Sequence, residues 1–387
     1  MTAAGDGRSE RVLVTGGTGF VGRQVVRRLL ELYPQQALVL FVRARGAQAG
    51  SDRARTIIRE VTGQRVTEDL SSRITIVDAD VTHDRFGLPP EQYQELAATT
   101  TRVIHAAATV YFDEKLEEAR RVNVNGTANM LAFADEAKRA GSLRSFVHVS
   151  TAYVSGFRAG LVREDELDLR QRFRNTYERT KCEAEALVRS RQSDLPIVVA
   201  RPSVVVGDSQ TGITTSFKTV YWPLKVYAAR RWRTVPGYPD TVIDLVPVDF
   251  VADGIVQLAF DDRALGRCVH LSAGPHGSMT VGEVAKLAAE IFDAPPVRFV
   301  NPALFMWLVR PTVMALYSGS RRRILREGHV YLPYFYMKMR FDTTVAERLL
   351  SPAGIKPPDV RQYLERVFRY CLDSDWGRRP VTEMVRG

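Results

Sequence analysis

The feature that most constrains this sequence is a glycine-rich loop that directly follows a short apolar run. Residues 11–15 (RVLVT) lead into 16–22 (GGTGFVG), after which apolar residues recur at helical spacing. Gly16 allows a tight turn, Gly19 lets a phosphate approach the backbone, and Gly22 lets helix pack closely on strand. The first amides of the helix suit an anion. The pattern predicts a dinucleotide-binding unit. Its expected contacts are Thr15, Gly16, Thr18, Gly19, Phe20, Val21 and Gly22.

Short β-branched runs alternate with helical patterns through the first two hundred residues. We predict strands at 11–15, 37–42, 73–78, 102–106, 145–150 and 196–201. Between them, residues 127–139 place Met130, Phe133, Ala134 and Ala137 on one helical face. Such alternation is typical of parallel βαβ units. The predicted fold class is therefore α/β, with a doubly wound parallel Rossmann sheet.

From about residue 207 the alternation gives way to loops, aromatic residues and basic residues. A later helix is predicted by the capping box of Thr280 and Glu283. We expect residues 1–206, joined by 243–269, to form an NADP-binding Rossmann domain. Residues 207–242 and 270–387 are expected to form a smaller, discontinuous substrate-binding cap over the carboxyl ends of the strands, where open α/β sheets place ligands.

The end of the second strand favours NADPH over NADH. An acidic residue there suits the ribose hydroxyl of NAD, whereas arginine suits a 2′-phosphate, and this strand ends in Arg43 with Arg45 close behind. The alternative is that both arginines only solvate a loop end. After the third strand, Asp80 and Val81 lie where an adenine could be contacted, although Asp80 is also a common turn residue.

Tyr177 and Lys181 are four residues apart and share one face of a predicted helix. An ammonium group beside a phenol favours the phenolate, which would let Tyr177 exchange a proton with a carbonyl oxygen. The alternative is an exposed helix face. The pair follows the glycine loop and the fifth strand in the order that a nicotinamide site needs. Ser150 and Thr151 end that strand, and Thr151 is our choice for a hydroxyl that binds the substrate oxygen.

Composition restricts the partners and the compartment. The formal net charge of +10 attracts anions such as phosphorylated cofactors, acyl carriers or anionic lipid. Charge alone suggests nucleic acid, and no recognition motif accompanies it, so we expect no nucleic-acid partner. Cys182, Cys268 and Cys371 lack metal or disulfide spacing, which predicts no metal site and a reducing compartment. The polar first residues lack a signal-peptide core, so we expect a cytoplasmic protein.

Several segments together resemble the extended, or atypical, short-chain dehydrogenase/reductases over residues 11–275. They are TGGTGFVG, RVIHAAATVYFDEKLEEARRVNVNGT, HVSTAYVSG, YERTK, RPSVVVGDSQTG and IDLVPVDFVADGI. The chain is most similar to the branch of fatty acyl-CoA reductases and thioester-reductase domains, through HVSTAYV, RPSVVVGDSQTG and VPGYPDTVIDLVPVD. The segment after about residue 275 matches this branch poorly.

The resemblance implies a role for each matching residue. Tyr177 would be the general acid and Lys181 its partner, with Thr151 as the active-site hydroxyl and Asn123 as a support through backbone and water. A structural helix asparagine is an equal alternative for Asn123. The remaining implied cofactor contacts are Ala106, Ala107 and Ala108 after the fourth strand, and Pro202 and Ser203 at the nicotinamide pocket.

The resemblance implies an NADPH-dependent reductase of an acyl thioester, with acyl-CoA or a carrier-bound acyl group as substrate and an aldehyde or alcohol as product. Residues 225–233 (KVYAARRWR) and 318–326 (SGSRRRILR) suit phosphates, and Leu304, Phe305, Trp307 and Leu308 suit an acyl chain. A solvated cationic face, or peripheral contact with an anionic membrane, are alternatives.

Three alternatives to thioester reduction keep the same fold. A ketone, alcohol or steroid-like dehydrogenase would use the same residues; Arg43 argues against a sugar-nucleotide epimerase, which would favour NAD; and the intact Tyr177/Lys181 pair argues against a non-catalytic NADP sensor. The oligomeric state stays open.

Overall fold

A parallel sheet forms the centre of the computed structural model, which describes residues 10–44, 72–167, 170–231, 233–316 and 319–379 and a few positions between 52 and 59. In these residues seven strands pair in the order β12-β7-β5-β4-β1-β2-β3. The seven strands are β1 (Arg11–Thr15), β2 (Ala37–Val42), β3 (Ile74–Asp78), β4 (Arg102–His105), β5 (Ser145–Val149), β7 (Ile197–Pro202) and β12 (Cys268–Leu271).

Helices cover both faces of the sheet, which confirms the doubly wound α/β prediction. They are α1 (Phe20–Leu32), α2 (Pro90–Thr99), α3 (Leu116–Arg120), α4 (Gly126–Arg139), α5 (Thr176–Arg189) and α7 (Val248–Phe260). Successive strand residues point to opposite faces of the sheet and so belong to different apolar layers. Val12 and Val14 pack in the layer of α1 and α7, whereas Leu13 packs in the layer of α2 and α4. Burial on both faces is why these strands are continuous apolar runs.

All six predicted strands are found in the central sheet, and the seventh strand of that sheet was not predicted from the sequence. Strand β12 pairs in parallel with β7 at the edge of the sheet. Its four residues are too few to show a period. The segment that returns to the sheet therefore extends to Leu271, two residues beyond the boundary expected at 269.

One helix expected in the cap belongs to the Rossmann core instead. In α13 (Thr344–Leu350), the side chains of Ala346, Leu349 and Leu350 pack in the same apolar layer as α1 and α7. Glu164 holds the start of this helix, because its carboxylate accepts hydrogen bonds from the amides of Val345 and Ala346. The chain thus returns to the sheet a second time, and sequence periodicity cannot reveal which layer a short helix joins.

The rest of the later chain contains a separate apolar cluster. Its helices are α6 (Tyr221–Ala228), α8 (Gly274–Gly277), α9 (Val281–Ile291), α10 (Pro302–Leu304), α11 (Arg310–Leu316), α12 (Ser320–Gly328) and α14 (Val360–Asp373). Two-stranded ladders join it: β6 (Gly160–Val162) with β15 (Met339–Phe341), β8 (Val204–Val206) with β11 (Leu245–Pro247), β9 (Thr234–Pro236) with β14 (Arg298–Val300), and β10 (Val242–Ile243) with β13 (Met279–Thr280). The capping box predicted for Thr280 and Glu283 begins α9. Within the described ranges, no helix combines the length and apolarity needed to cross a membrane.

Candidate active site

The glycine loop turns between β1 and α1 as the sequence predicts. Gly16 has φ +72°, and a Cβ added there would lie 2.6 Å from the carbonyl group of Ala106. A Cβ at Gly22 would lie 2.1 Å from the carbonyl oxygen of Gly16. Helix α1 begins at Phe20, directly after Gly19. Both glycines are therefore required for close approach, and the first turn of the helix faces the loop where an anion would bind.

A cleft of about 490 Å³ opens beside this loop at the carboxyl ends of β1 to β4. Its wall includes these residues predicted to bind cofactor: Thr15, Gly16, Thr18, Gly19, Arg43, Asp80, Val81, Ala106, Ala107 and Ala108. Arg23, Phe41, Thr56, Ala79, Thr82 and Val122 also line it and were not predicted. The Nε of Arg23 donates to the carbonyl of Thr18 at 3.2 Å. The signal for Arg23 was available, because it directly follows the last glycine of the loop.

Arg43 and Asp80 form an ion pair at one end of the cleft, with Nη1 and Oδ2 3.8 Å apart. Partial burial raises the pKa of Asp80, but hydrogen bonds from the amide and hydroxyl of Thr82 and the charge of Arg43 outweigh that effect and lower it. Asp80 is therefore a fixed anion that orients the Arg43 guanidinium beside the cleft. Arg45 lies outside the described residues.

Thr151, Tyr177 and Lys181 meet at the end of β5. Asn175 caps α5 by accepting a hydrogen bond from the amide of Glu178, which starts the helix just before Tyr177. The Tyr177 hydroxyl shares a hydrogen bond with Thr151. One turn further, the Nζ of Lys181 donates to the carbonyl oxygen of Val149 at 2.8 Å. The spacing of four residues thus places both α5 side chains against the tip of one strand.

The protonation states at this site follow from burial. Burial raises the pKa of Tyr177 to about 12, and the hydrogen bond with Thr151 offsets part of the rise. Burial also lowers the pKa of Lys181 to about 8, against a smaller opposing effect of Glu185. At neutral pH, Tyr177 is therefore a phenol with a proton to give, and Lys181 is largely an ammonium ion.

Ser150 lies next to Thr151, but its hydroxyl faces away from Tyr177. It donates to the Glu185 carboxylate at 2.6 Å, and Glu185 also pairs with the Arg201 guanidinium at 2.6 Å. Both charged side chains are fully buried. Ser150 therefore belongs to a buried ionic network behind the site, so of the two predicted hydroxyls only that of Thr151 is brought to Tyr177.

Asn123 joins two walls of the site. It lies in a π-helical turn, Arg121–Asn125, which links α3 to α4. Its side-chain amide accepts a hydrogen bond from the Thr109 amide at 2.9 Å and donates to the Thr180 hydroxyl at 2.9 Å. Asn123 is thus one buried link between the loop after β4 and helix α5. Single π turns inside helices are frequent at functional sites.

A buried hydrogen-bond chain, which the sequence did not reveal, connects the glycine loop to Asn123. The Thr15 hydroxyl accepts from the amide of Ala107 and lies 2.7 Å from the Nδ1 of His105. The Nε2 of His105 faces the Thr127 hydroxyl, which donates to the carbonyl of Asn123. Burial, with the charge of Lys181, lowers the pKa of His105 to about 3. A neutral imidazole protonated on Nε2 satisfies every group in this chain.

Pro202 and Ser203 close the far side of the site. The Thr151 hydroxyl is 3.4 Å from the carbonyl oxygen of Pro202, and the Ser203 hydroxyl donates to the buried carboxylate of Asp244. Asp244 also accepts from the amide of Ala273 at 3.0 Å. The segment after β7 is thereby tied to the cap.

An apolar cavity of about 150 Å³ lies inside the cap next to this site. Tyr331 and Tyr334 are on its wall, and the ring of Phe112 packs on both at centroid distances of 5.8 Å. Phe112 also stacks on Tyr177 at 5.9 Å. A line of aromatic rings therefore leads from the Tyr177 hydroxyl region to the cavity.

The expected apolar residues of the cap divide between inside and outside. Phe305 lines the cavity, but Leu304, Trp307 and Leu308 do not, and all three are exposed. The four side chains therefore do not form one common surface for an acyl chain, and of the four only Phe305 lies on the cavity wall. Helical turns place neighbours on opposite faces, and only the packing decides which face is inside.

Three comparisons place the chain among known proteins. An NAD-binding family model described as male sterility protein matches residues 14–255. A putative fatty acyl-CoA reductase of Drosophila melanogaster is 24% identical over 95% of this chain and 72% of its own length. Fatty acyl-CoA reductase 1 of Rattus norvegicus is 26% identical over 94% of this chain and 84% of its own length.

The fold is also found in solved structures. The terminal R domain of the myxalamid PKS-NRPS biosynthetic pathway superposes with a TM-score of 0.79 at 24% identity, over 97% of this chain and 94% of that domain. UDP-glucuronic acid 4-epimerase from Bacillus cereus, solved with NAD, superposes with a TM-score of 0.65 at 18% identity, over 96% of this chain and 99% of the epimerase. Since the family model covers well over half of the chain, the protein belongs to the male sterility family of NAD-binding proteins, an oxidoreductase branch of the extended short-chain dehydrogenase/reductases.

Proposed function

We propose that this protein reduces an acyl thioester with NADPH, with Tyr177 as general acid, and releases an aldehyde and a thiol. The observation that carries the proposal is the line of rings from Tyr177 through Phe112 to the apolar cavity of the cap. It joins a proton donor to a space for an alkyl chain. The names of the relatives, fatty acyl-CoA reductases, support the same substrate class.

The cleft beside the glycine loop suits a dinucleotide, because Gly16 leaves room that a side chain would fill and α1 begins beside it. A bound nicotinamide supplies a hydride for the carbonyl carbon. Arg43 at the cleft wall, at the end of a second strand that lacks an acidic residue, supports NADPH rather than NADH. Lys181 would hold the nicotinamide ribose.

The protein's own part in the reaction is to bind and protonate the substrate oxygen. Thr151 and Tyr177 donate hydrogen bonds to the thioester oxygen as negative charge develops on it. Tyr177 then gives up its proton, and Lys181 stabilises the phenolate that remains. The resulting hemithioacetal loses its C–S bond to give aldehyde and thiol. Whether a second reduction to alcohol follows depends on release of the aldehyde.

In this proposal the acyl part of the substrate occupies the apolar cavity. Its wall is built from aliphatic and aromatic side chains, including Val204, Leu224, Ile243, Phe299 and Phe305. A dry apolar cavity of about this volume takes up hydrocarbon the size of a benzene ring. A nucleotide sugar, by contrast, needs polar partners, so the cavity argues against an epimerase.

The test is NADPH oxidation by the purified protein with acyl-CoAs of graded length, the matching aldehydes, ketones and steroids, with identification of products. Turnover of acyl-CoA to aldehyde supports the proposal, and Tyr177→Phe should then lose about 10²–10⁴-fold in kcat while still binding NADPH. Activity on ketones or steroids, without activity on acyl-CoA, would show that the protein is a carbonyl reductase and not a thioester reductase. NADPH binding without turnover of any substrate would favour a sensor.

A further inference from the structure

Exposed apolar side chains lie on the cap hairpin, by which we mean the described helical segments Pro302–Leu316 and Ser320–Gly328. Trp307 is 81% exposed and Leu316 is 75% exposed, values far above those of ordinary apolar side chains in a folded protein. The other exposed apolar members are Leu304, Met306 and Leu308. We call these five residues the hairpin surface. Five large apolar side chains exposed within one short helical segment are more than the single exposed residues that are ordinary on a protein surface, and larger exposed apolar patches mark interaction sites.

The inner side of the same hairpin is already buried. Phe305 from the first arm and Ile324, Leu325 and Gly328 from α12 line the apolar cavity. Trp307 lies two residues from Phe305 and so points to the opposite side of the helical turn. The exposed residues are therefore not surplus core, because the cavity face of each arm is filled by other side chains.

Arginines accompany the hairpin surface. Residues 302–328 contain five arginines and one acidic residue, Glu327. On α12, Arg322, Arg323 and Arg326 are exposed and lie opposite Ile324 and Leu325 by helical spacing. The helix Arg310–Leu316 packs against α12, so these arginines lie beside the segment that carries the exposed apolar side chains. Glu327 pairs with Arg323, which leaves a strong excess of positive charge.

The positive charge favours an anionic bilayer over a second copy of this chain as the partner of the hairpin surface. In a symmetric dimer, the same patch of two copies would meet, and the arginines of α12 would face one another. An anionic bilayer has the opposite charge, accepts leucine side chains below its headgroups and favours tryptophan at the interface. Arginines near such a surface each contribute to attraction.

We propose that the hairpin surface docks the protein peripherally on an anionic lipid bilayer, with Trp307 and the neighbouring leucines at the acyl boundary and the α12 arginines at the headgroups. The wall of the apolar cavity then lies directly behind the docked face. Binding is reversible, since no described helix of the hairpin has the length and apolarity to cross the bilayer, and it weakens as salt screens the arginines.

The test is flotation of the 387-residue chain with vesicles of phosphatidylcholine alone and of phosphatidylcholine mixed with phosphatidylglycerol. We expect flotation with the mixed vesicles and its loss at high salt. Trp307→Ser combined with Leu304→Ser, and separately Arg322→Glu combined with Arg323→Glu and Arg326→Glu, should each weaken vesicle binding by at least about tenfold. Tryptophan emission should shift to the blue with mixed vesicles, and Trp307→Phe should remove most of that shift.

Matched controls change equal numbers of residues elsewhere. Leu32→Ser with Leu161→Ser alters two leucines as exposed as Leu304, and Arg139→Glu with Arg361→Glu and Arg369→Glu reverses three other exposed charges. These controls should float normally. Thermal melting and NADPH binding show that each variant is folded, and neither depends on the acyl substrate. Absence of flotation, flotation that survives both hairpin variants, or a dimer in light scattering that Trp307→Ser dissociates would each overturn the proposal.

Discussion

The ring of Phe112 stacks on the ring of Tyr177, with centroids 5.9 Å apart and an angle of 26° between the planes. Phe112 comes from the loop after β4, and Tyr177 from the first turn of α5. The amide of Thr176 donates to the carbonyl of Phe112, which ties the two segments together. Since Phe112 also contacts Tyr331 and Tyr334, it connects the ring of the proposed acid to the aromatic residues of the cap.

We expect Phe112→Ala to lower kcat/KM for acyl-CoA by about two- to tenfold, because an aromatic pair contributes about 0.5–1.5 kcal/mol beyond its buried area. The affinity for NADPH, measured by fluorescence titration, should stay unchanged, since Phe112 is not on the cleft wall. Phe112→Leu keeps an apolar contact and should lose less. An equal loss with both substitutions would show that ring stacking is not the cause.

Arg43→Ala should raise KM for NADPH by about ten- to hundredfold, because a hydrogen bond to a charged group contributes about 1.5–3 kcal/mol. KM for NADH should hardly change, since NADH has no 2′-phosphate. Steady-state kinetics with each cofactor measure the effect. Arg27→Ala on the exposed side of α1 is the control and should leave both values unchanged. Equal effects on NADPH and NADH would rule out a 2′-phosphate contact.

The pH profile should report the charge of Lys181. Its lowered pKa of about 8 means that the ammonium form dominates below pH 8 and is lost above it. Tyr177, with a pKa raised to about 12, keeps its proton throughout this range. We therefore expect kcat/KM for reduction to fall as pH rises through about 8. Lys181→Arg should remove this limb in whatever activity it retains, because arginine stays charged. A flat wild-type profile through pH 8 would contradict the assignment.

Glu185→Gln should destabilise the protein by about 3–5 kcal/mol, because it leaves the buried Arg201 guanidinium without its counter-ion. Urea unfolding measures the change. Glu183→Gln, on the same helix and partly exposed in pairs with Arg120 and Arg179, should cost no more than about 1 kcal/mol. A similar decrease in the free energy of unfolding for both variants would mean that burial of the Glu185–Arg201 pair does not explain the effect.

Replacing both members of the buried pair tests whether the unpaired charge of Arg201 causes the loss of stability. Glu185→Leu combined with Arg201→Met leaves no unpaired buried charge and should be more stable than Glu185→Gln alone. Arg201 also donates to the carbonyl of Glu166, and this bond is lost in the double variant. Full recovery of wild-type stability is therefore not expected.

Local pattern in the sequence determined the part of this protein that depends on neighbours along the chain. The glycine loop, six of the seven sheet strands, the capping box at Thr280 and the helical spacing of Tyr177 and Lys181 could each be predicted, because turn geometry, strand period and helix period are short-range properties. The family resemblance added proposed roles to residues already identified by position, and it alone indicated Asn123, Pro202 and Ser203.

Tertiary structure decided which of those residues meet. Only the packing of α5 against β5 and β7 turns Ser150 to Glu185 and Thr151 to Tyr177, although the two hydroxyls are adjacent in sequence. Strand β12 and helix α13 join the Rossmann core through contacts with residues far away in the chain, which a short segment does not encode in its own period. The position of Phe112 also depends on contacts with distant residues. Phe305 and Trp307 are two residues apart on one helical segment, and packing places Phe305 at the cavity and Trp307 at the surface. Packing between distant segments decides where each side chain points, and therefore which groups it can contact.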